Sequence, residues 1–406
     1  MNKTIRMVLY VLSILTVAGV FVAFVLAGKS QQTSSAGNMA PGSAQEVTTE
    51  SETEDTGVAE EPTTEAAGEE VQSTEEAILP EENLETETKE KQTGEAVTLM
   101  FTGDVLFANA FQAGYDANGI DGVITEELRE QLKAADILMI NNEFPFSDRG
   151  TAIADKQFVF RCSPSYRKAL TELGVDVVSL ANNHTLDYGK EALEDTFQTL
   201  DAEGILYGGA GDTVERAKQI QIIEVNGKKF GFLAVSRVIP SVDWKVENST
   251  PGIFSCYDTT ELIAQIKAGK EECDFLTVFP HWGTEYSETP DANQTSIAKQ
   301  CMDAGANLVV GAHTHCLEGI EYIDGRPVFY SLGNFIFGQS IDRSMAVEVT
   351  VAQDGETSYR VIPVYATGGV TQQMTEAASE KLYAYLQQIS VNAAIDKEGK
   401  ITEIQE

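Results

Sequence analysis

Histidine is scarce in this chain, and its positions indicate metal chemistry. The four histidines all follow short apolar runs: His184, His281, His313 and His315. Two further polar clusters follow apolar runs in the same way and contain an acidic residue each: Asp104 and Glu143. Imidazole combined with carboxylate and amide oxygens, without thiolate, suits Mn²⁺, Fe or Zn²⁺ better than Ca²⁺ or Mg²⁺ alone. The residue types therefore predict a site for divalent metal.

Each cluster taken alone has a plainer interpretation. Gly103-Asp104 is typical of a strand that runs into a turn, and His281 alone could be a packed core histidine. The pair His313 and His315 is more specific, because one intervening residue aims two imidazoles at one region only over a short, bent stretch. The combination of clusters is what favours a shared metal site.

The clusters need elements that bring them together. Apolar runs predict strands at 97–101, 137–140, 175–180, 220–225, 229–235, 275–279, 308–310, 319–323, 327–331, 345–351 and 358–365. Helical patterns cover 126–135, 164–173, 190–202, 259–268, 296–304 and 376–389. Strand–helix alternation followed by antiparallel hairpins predicts an α/β layered domain with mixed sheets.

The polar clusters stand at the carboxyl ends of five of these predicted strands. In open α/β sheets, ligands bind beyond the carboxyl ends of the strands. If the five strands share one sheet, the clusters converge on one rim.

Net charge, cysteine spacing and local composition indicate what the rest of the chain does and does not form. The net charge is −35 and no basic patch stands out, which argues against a nucleic-acid partner. Five cysteines without CxxC spacing do not form a disulfide framework. The stretch 31–94 is acidic and has no aromatic residue, so we expect a disordered linker.

An uncharged, mostly apolar run, Met7–Gly28, follows Lys3 and Arg6. The run is long enough to cross a bilayer as a helix, and its basic flank places the N-terminus inside. We expect a single-pass anchor in the cell membrane with the globular domain extracellular; a cleaved signal peptide is the alternative. The predicted organisation is an anchor or signal at 1–30, the linker at 31–94, a globular domain at 95–366, and a C-terminal helix and tail at 367–406.

The clusters form an ordered series that resembles a known family. The series is Gly103-Asp104, Asn142-Glu143, Asn182-Asn183-His184, His281-Trp282-Gly283, Gly311-Ala312-His313-Thr314-His315 and Ser331-Leu332-Gly333-Asn334-Phe335. Over about 96–365 the chain resembles the CapA/PgsA family of poly-γ-glutamate capsule synthesis proteins. That family looks like a branch of the calcineurin-like metallophosphoesterases.

The resemblance implies a four-layer αββα sandwich with a two-metal centre at the strand ends. The metal ligands that it implies are Asp104, Glu143, Asn183, His281, His313 and His315. It also implies that His184 is an acid near the scissile ester. Asp187 could orient that imidazole, or could instead cap the helix that follows. Candidate substrate contacts are Arg161, Glu285, Tyr286 and Asn334.

One departure from the parent superfamily leaves the metal count and the function open. That superfamily begins with Asp-x-His, whereas Leu106 stands two residues after Asp104, so the site could hold one ion or two. One hypothesis is a metal-dependent hydrolase or transferase that acts on a phosphate or a glutamyl polymer. The other is a non-catalytic polymer-binding or scaffold subunit. The implied partners are the bacterial membrane, an anionic polymer such as poly-γ-glutamate, and other capsule synthesis subunits.

Overall fold

The computed structural model describes residues 95–405. The predicted membrane span Met7–Gly28 and the predicted linker at 31–94 lie outside the described residues. None of the helices within 95–405 is both long enough and apolar enough to cross a membrane.

Strands and helices alternate along the described chain before it ends in antiparallel strands. Strands β1 to β18 cover Val97–Val105, Ile137–Asn142, Val177–Ser179, Leu206–Gly208, Ala210–Gly211, Gln221–Val225, Lys228–Ser236, Gly252–Ile253, Phe275–His281, Leu308–Val310, Ile320–Ile323, Arg326–Phe329, Asn334–Ile336, Ile341–Val351, Thr357–Thr367, Val370–Gln373, Ala393–Ile395 and Lys400–Glu403. Helices α1 to α8 cover Asn109–Asn118, Glu126–Lys133, Lys168–Leu173, Lys190–Ala202, Val214–Ala217, Thr260–Glu272, Ala292–Ala304 and Glu376–Ile389. Short 3₁₀ turns lie at Gly119–Gly122, Pro164–Tyr166 and Val242–Trp244.

Two mixed sheets contain all of these strands except β5 and β8, which pair with each other. The larger has the order β17-β18-β15-β14-β1-β2-β3-β4, with β13 beside β1 and β16 beside β15. Its strands β1 to β4 are parallel, and β14 pairs antiparallel with β1. The smaller sheet has the order β11-β12-β10-β9-β7-β6, with antiparallel pairs at both edges. The predicted α/β class with mixed sheets is confirmed.

The five strands that precede the polar clusters do not share one sheet, so that condition of the sequence analysis is wrong. Strands β1, β2 and β3 belong to the larger sheet, and β9 and β10 belong to the smaller. The two sheets pack face to face over a common apolar core, where the rings of Phe101 and Phe232 lie 6.3 Å apart between centroids. The clusters therefore meet where strand ends of both sheets come together.

Strand β7 shows why these runs are almost continuously apolar. Phe232 faces the core between the sheets, whereas Leu233 joins a second apolar cluster with Leu262 of α6 and Ile297 of α7. Both faces of the strand are thus buried. Such a strand does not alternate apolar and polar residues, because neither face contacts solvent. The Asn226-Gly227 turn before it is a tight hairpin, since both residues have positive φ angles, 52° and 77°.

The C-terminal boundary that the sequence analysis placed after residue 366 falls inside β15, and both β16 and β18 pair with that strand. Leu382 and Leu386 of α8 are buried in the same core as the larger sheet. The residues after 366 are therefore part of the domain, because their apolar side chains and strand edges are satisfied only against it.

Gly103 allows a close approach that places Asp104. A Cβ at Gly103 would lie 1.8 Å from the carbonyl oxygen of Gly333. That same oxygen accepts a hydrogen bond from the Asp104 amide at 3.0 Å, and Asp104 pairs with Asn334 between β1 and β13. The glycine is needed because backbone occupies the space of a side chain.

We predict that Gly103→Ala destabilises the fold by more than about 3 kcal/mol, because neither backbone can move without breaking the β1–β13 pairing. The matched control is Gly208→Ala, where a Cβ would meet its nearest neighbours at 3.7 Å; we expect a change of at most about 1 kcal/mol there. Urea unfolding followed by circular dichroism measures both. Equal stability of the two variants would contradict the close-approach role of Gly103.

Candidate metal centre

Three fully buried polar side chains from the two sheets form the centre of the site. Asp104 lies at the end of β1, Glu143 follows β2, and His281 ends β9. Each offers a ligand atom, and the three atoms lie within 4.8 Å of one another. The Nε2 atom of His281 is 3.6 Å from a Glu143 carboxylate oxygen and 2.9 Å from the Asn183 side-chain oxygen. This spacing fits ligands that converge on one cation.

Several buried atoms of the cluster lack hydrogen-bond partners among the described residues. They are Glu143 Oε2 and His313 Nδ1, and also Asp104 Oδ2, which does however lie 3.2 Å from His315 Nδ1 in an ion pair. An unpaired buried carboxylate oxygen is costly, and each of these atoms is a good donor to a divalent metal. The unsatisfied atoms and the donor types therefore fit a metal ion held by Asp104, Glu143, His281 and His313.

Asn141, whose role the sequence analysis did not identify, holds the two carboxylates together. Its side-chain amide donates to Asp104 at 2.8 Å and to Glu143 at 3.0 Å. The Asn182 amide in turn donates to the Asn141 oxygen at 3.2 Å. Asn141 lies near the end of β2, and its type alone does not distinguish it from Asn142 beside it. Its role depends on the pairing of β1 with β2, which brings Asp104 opposite Asn141.

The turn after β10 presents two imidazoles in strained backbone conformations. His313 and His315 have φ angles of 104° and 59°, which are uncommon for residues other than glycine and are associated with functional sites. The His313 ring lies 4.6 Å from the His281 ring. His315 Nδ1 lies 3.2 Å from Asp104 and 2.8 Å from the Asn334 side-chain oxygen. The centroids of the His313 and His315 rings are 6.1 Å apart, so this short turn brings both rings to one region.

Burial and the charges of neighbouring residues shift the pKa values of the side chains in the cluster. Burial, and then the nearby Asp104, raise the pKa of Glu143 well above its usual value. Burial, reinforced by the neighbouring histidines, lowers the pKa of His281 well below its ordinary value and that of His313 to about 3. Burial also opposes protonation of His315, but Asp104 and Glu143 outweigh it and raise its pKa to about 10. Neutral imidazole is the metal-binding form, and a divalent charge would favour the Glu143 carboxylate.

A second group of side chains surrounds His184, which is buried beside Asn183. Its Nδ1 atom lies 2.7 Å from Asp187 Oδ2, and the same oxygen accepts a hydrogen bond from the Phe160 amide at 2.7 Å. Burial lowers the pKa of His184, while Asp187 opposes this effect. Helix α4 begins after Gly189 without a side-chain cap. Asp187 therefore contacts the imidazole and does not cap that helix.

Lys156 belongs to this second group, and the sequence analysis did not identify it. Its ammonium donates to the Asn183 carbonyl oxygen and to the Asp187 carboxylate, and lies 3.1 Å from His184 Nδ1. Burial lowers its pKa, with Asp187 as the main opposing influence. No local pattern marks this lysine, because it comes from an irregular segment that folds over the site.

The predicted substrate contacts lie in different surroundings. The exposed Tyr286 has its ring 6.0 Å from the His315 ring, and its neighbour Glu285 is also exposed. Asn334 contacts His315 directly. Arg161 is exposed, and its guanidinium lies 4.3 Å from the Tyr188 ring centre. Leu106, two residues after Asp104, is buried.

A buried carboxylic acid lies next to the turn that bears His313 and His315. Glu318 accepts a hydrogen bond from Gln294 at 2.6 Å, and its second oxygen has no partner within the described part of the chain. Burial raises its pKa to about 7, although the Gln294 hydrogen bond opposes the shift. The residue is entirely inaccessible to solvent.

Comparison with known proteins identifies the family. The sequence profile described as "Bacterial capsule synthesis protein PGA_cap" matches residues 98–339. The chain belongs to this family. The "PGA biosynthesis protein CapA" of Bacillus subtilis (strain 168) is 29% identical over 285 residues, which cover 69% of this chain and 74% of that protein. The "Capsule biosynthesis protein CapA" of Bacillus anthracis is 29% identical over 293 residues, 70% of this chain and 71% of that protein. The predicted CapA/PgsA resemblance is confirmed.

Solved structures resemble this PGA_cap chain only distantly. A hypothetical protein from Thermus thermophilus has a TM-score of 0.41 at 17% identity, covering 66% of this chain and 99% of that one. A 5'-nucleotidase from Candida albicans has a TM-score of 0.38 at 12% identity, covering 67% and 52%. Likenesses at this level establish no activity for the PGA_cap chain.

We predict that Glu318→Gln stabilises the protein in a pH-dependent way. Because the folded-state pKa of about 7 lies above the ordinary value of 4.5, the wild-type loses stability as pH rises through this interval, whereas glutamine does not titrate. The free energy of unfolding of the variant relative to wild type should rise by about 2–3 kcal/mol between pH 4.5 and pH 8.

Urea unfolding at several pH values measures this difference. The control is the exposed Glu356→Gln, for which we expect no pH-dependent difference. A Glu318→Gln variant that parallels wild type across the same range would contradict the pKa assignment.

We predict that the purified protein binds a divalent metal ion and that His281→Ala loses it. Removal of one buried nitrogen ligand should weaken metal affinity by about 100-fold or more. Elemental analysis after dialysis, and the melting temperature with and without a chelator, measure the loss. The control His184→Ala should retain metal, since its ring contacts Asp187 instead of the cluster. A metal-free wild-type protein after supply of Mn²⁺, Fe²⁺ and Zn²⁺ would contradict the proposed site.

Proposed function

We propose that this protein is a membrane-anchored extracellular component of poly-γ-glutamate capsule synthesis, with a metal-dependent hydrolase or transferase site that acts on a phosphate or on the glutamyl polymer. Membership of the PGA_cap family supports the capsule role, as do the names of the two Bacillus relatives. The apolar run Met7–Gly28 supports a single-pass anchor. Other capsule synthesis subunits would be its partners.

The cluster of acidic and imidazole side chains is the observation on which the catalytic proposal rests. Asp104, Glu143 and His281 would hold the first ion, with Asn183 and His313 beside them; His315 would serve a second ion if one binds. Bound divalent metal supplies Lewis acidity and neutralises charge that develops on an ester or amide oxygen. We infer that the sheets and helices follow the four-layer αββα arrangement of metallophosphoesterases.

His184 is the candidate acid in this proposal. Because Asp187 accepts the hydrogen on Nδ1, it is Nε2 of the doubly protonated ring that would donate a proton to a leaving group, which leaves the neutral ring protonated at Nδ1. The hydrogen bond also fixes the ring orientation, as in other catalytic histidines that are held by a carboxylate. His184 and Asp187 both lie in the short turn after β3. The proposed ligand Asn183 immediately precedes His184 in that turn.

Anionic substrate would be held by residues at the rim of the site. The Arg161 guanidinium has no carboxylate partner among residues 95–405; it contacts the Arg149 carbonyl oxygen and the Tyr188 ring. An exposed guanidinium of this kind can bind a carboxylate or phosphate. Tyr286, Glu285 and Asn334 would complete the contacts on the side of His315.

The second candidate function is a polymer-binding or scaffold subunit without turnover. Leu106 supports it, because an apolar side chain stands where the metallophosphoesterase pattern has a histidine ligand. A single ion in such a site would grip carboxylates of the polymer or stabilise the fold. The intact group of His184 and Asp187 favours catalysis over this alternative.

We predict that the full-length protein, loaded with Mn²⁺ or Zn²⁺, hydrolyses a generic phosphodiester or shortens poly-γ-glutamate. His184→Ala should lower kcat by about 100-fold or more with metal retained, and His281→Ala should lose both metal and turnover. Release of nitrophenol and chromatography of the polymer measure the two reactions. Metal binding and polymer binding without turnover would contradict the enzyme proposal and favour the scaffold.

A further inference from the structure

The segment between Ser147 and Cys162 brings a lysine into the interior of the site. Backbone hydrogen bonds tie its two ends together, from the Ser147 amide to Cys162 and from the Cys162 amide to Pro145. Between these points the chain forms neither helix nor regular strand. Lys156 leaves this segment with its side chain 15% exposed and reaches the turn after β3.

The Lys156 ammonium is surrounded by acceptors of that turn. It donates to the Asn183 carbonyl oxygen and to Asp187 Oδ1. On another side the ring of Trp244 lies 5.2 Å away, at a distance typical of a cation–π contact. The lysine therefore joins three separate parts of the chain at one buried point.

The contacts of Asp187 determine whether Lys156 can donate a hydrogen bond to His184. Asp187 Oδ2 lies 2.7 Å from His184 Nδ1, and a carboxylate only accepts hydrogen bonds. The hydrogen atom must therefore be on Nδ1, so Lys156 cannot donate to that nitrogen although it is 3.1 Å away. Its two hydrogen bonds go instead to the groups that hold the imidazole in place.

We propose that Lys156 is a positioning residue, which fixes the Asn183–Asp187 turn so that His184 stays protonated at Nδ1 and presents Nε2 to the reaction centre. This inference deepens the proposed function and rests on it for its catalytic consequence. The same contact at the Asn183 carbonyl oxygen restrains the proposed metal ligand Asn183. One side chain thus couples the candidate acid to the metal cluster.

The burial of this ion pair distinguishes it from the surface pairs of the same chain. In the pair of Lys299 and Asp303 the side chains are 63% and 53% exposed, and such pairs contribute little. For Lys156 and Asp187 the values are 15% and 0%. Loss of the lysine leaves a buried carboxylate without its cation, so the surrounding turn must rearrange.

The test uses the full-length protein with ¹⁵N-labelled histidine and two neutral variants, Lys156→Met and Lys156→Gln. Lys156→Arg is the conservative variant, and Lys267→Met on the exposed face of α6 is the control. Because the chain has four histidines, long-range ¹H–¹⁵N spectra at one fixed pH resolve each ring, and His184→Ala assigns its signal. These spectra are recorded without added metal and report the tautomer directly.

We expect wild type and Lys267→Met to show His184 protonated at Nδ1. Both neutral variants should show a mixture of the two tautomers, and Lys156→Arg should restore the wild-type pattern. With the phosphodiester or polymer that wild type turns over, kcat of the neutral variants should fall by about 10-fold or more at nearly constant KM. Recovery in Lys156→Arg should follow the recovery of the tautomer.

An unchanged His184 tautomer in both neutral variants would overturn the inference. So would failure of both neutral variants to fold, since Lys156 would then be a structural ion pair. If wild type turns nothing over, the proposed enzymatic function fails, yet the spectra still decide whether Lys156 positions His184. The two proposals therefore fail by separate observations.

Discussion

The structure depends on one unfavourable arrangement, the burial of two carboxylates within 4.8 Å of a neutral imidazole. Asp104, Glu143 and His281 are each inaccessible to solvent, and buried like charges raise the free energy of the folded state unless something compensates them. Hydrogen bonds from Asn141 satisfy one oxygen of each carboxylate. Of the remaining oxygens, Asp104 Oδ2 lies 3.2 Å from His315 Nδ1, whereas Glu143 Oε2 has no hydrogen-bond partner among the described residues. A divalent cation between these side chains would compensate both carboxylates.

The two sheets are what make such a pocket possible. Each contributes strand ends, so polar side chains on β1 and β9 meet although Asp104 and His281 are 177 residues apart in the sequence. The absence of a side chain at Gly103 lets β1 approach the Gly333 carbonyl oxygen, which sets Asp104 against Asn334. Irregular segments then add Lys156 and His184 around this framework.

The sequence predicted the residues of the metal cluster better than it predicted how the strands are arranged in sheets. The four histidines that follow apolar runs indicated the metal site. Apolar runs and turn residues located most of the strands, including the hairpin at Asn226. The division of the strands between two sheets was not predictable from local pattern, since buried parallel strands look alike in either sheet. Asn141 and Lys156 were not identified as site residues, because their roles arise from strand pairing and from a long irregular segment. Helix α1 was also missed, since Phe111 is its one buried side chain and the uncapped start gives no signal.

Anomalous X-ray diffraction from crystals of the metal-loaded protein, recorded at the absorption edge of the bound element, tests the central claim most directly. The account predicts a peak within about 2.0–2.3 Å of ligand atoms from Asp104, Glu143 and His281, with or without a second peak near His315. Crystals grown with saturating Mn²⁺ or Zn²⁺ that show no peak between these side chains, or show His281 hydrogen-bonded to a protonated Glu143 in its place, would contradict the account.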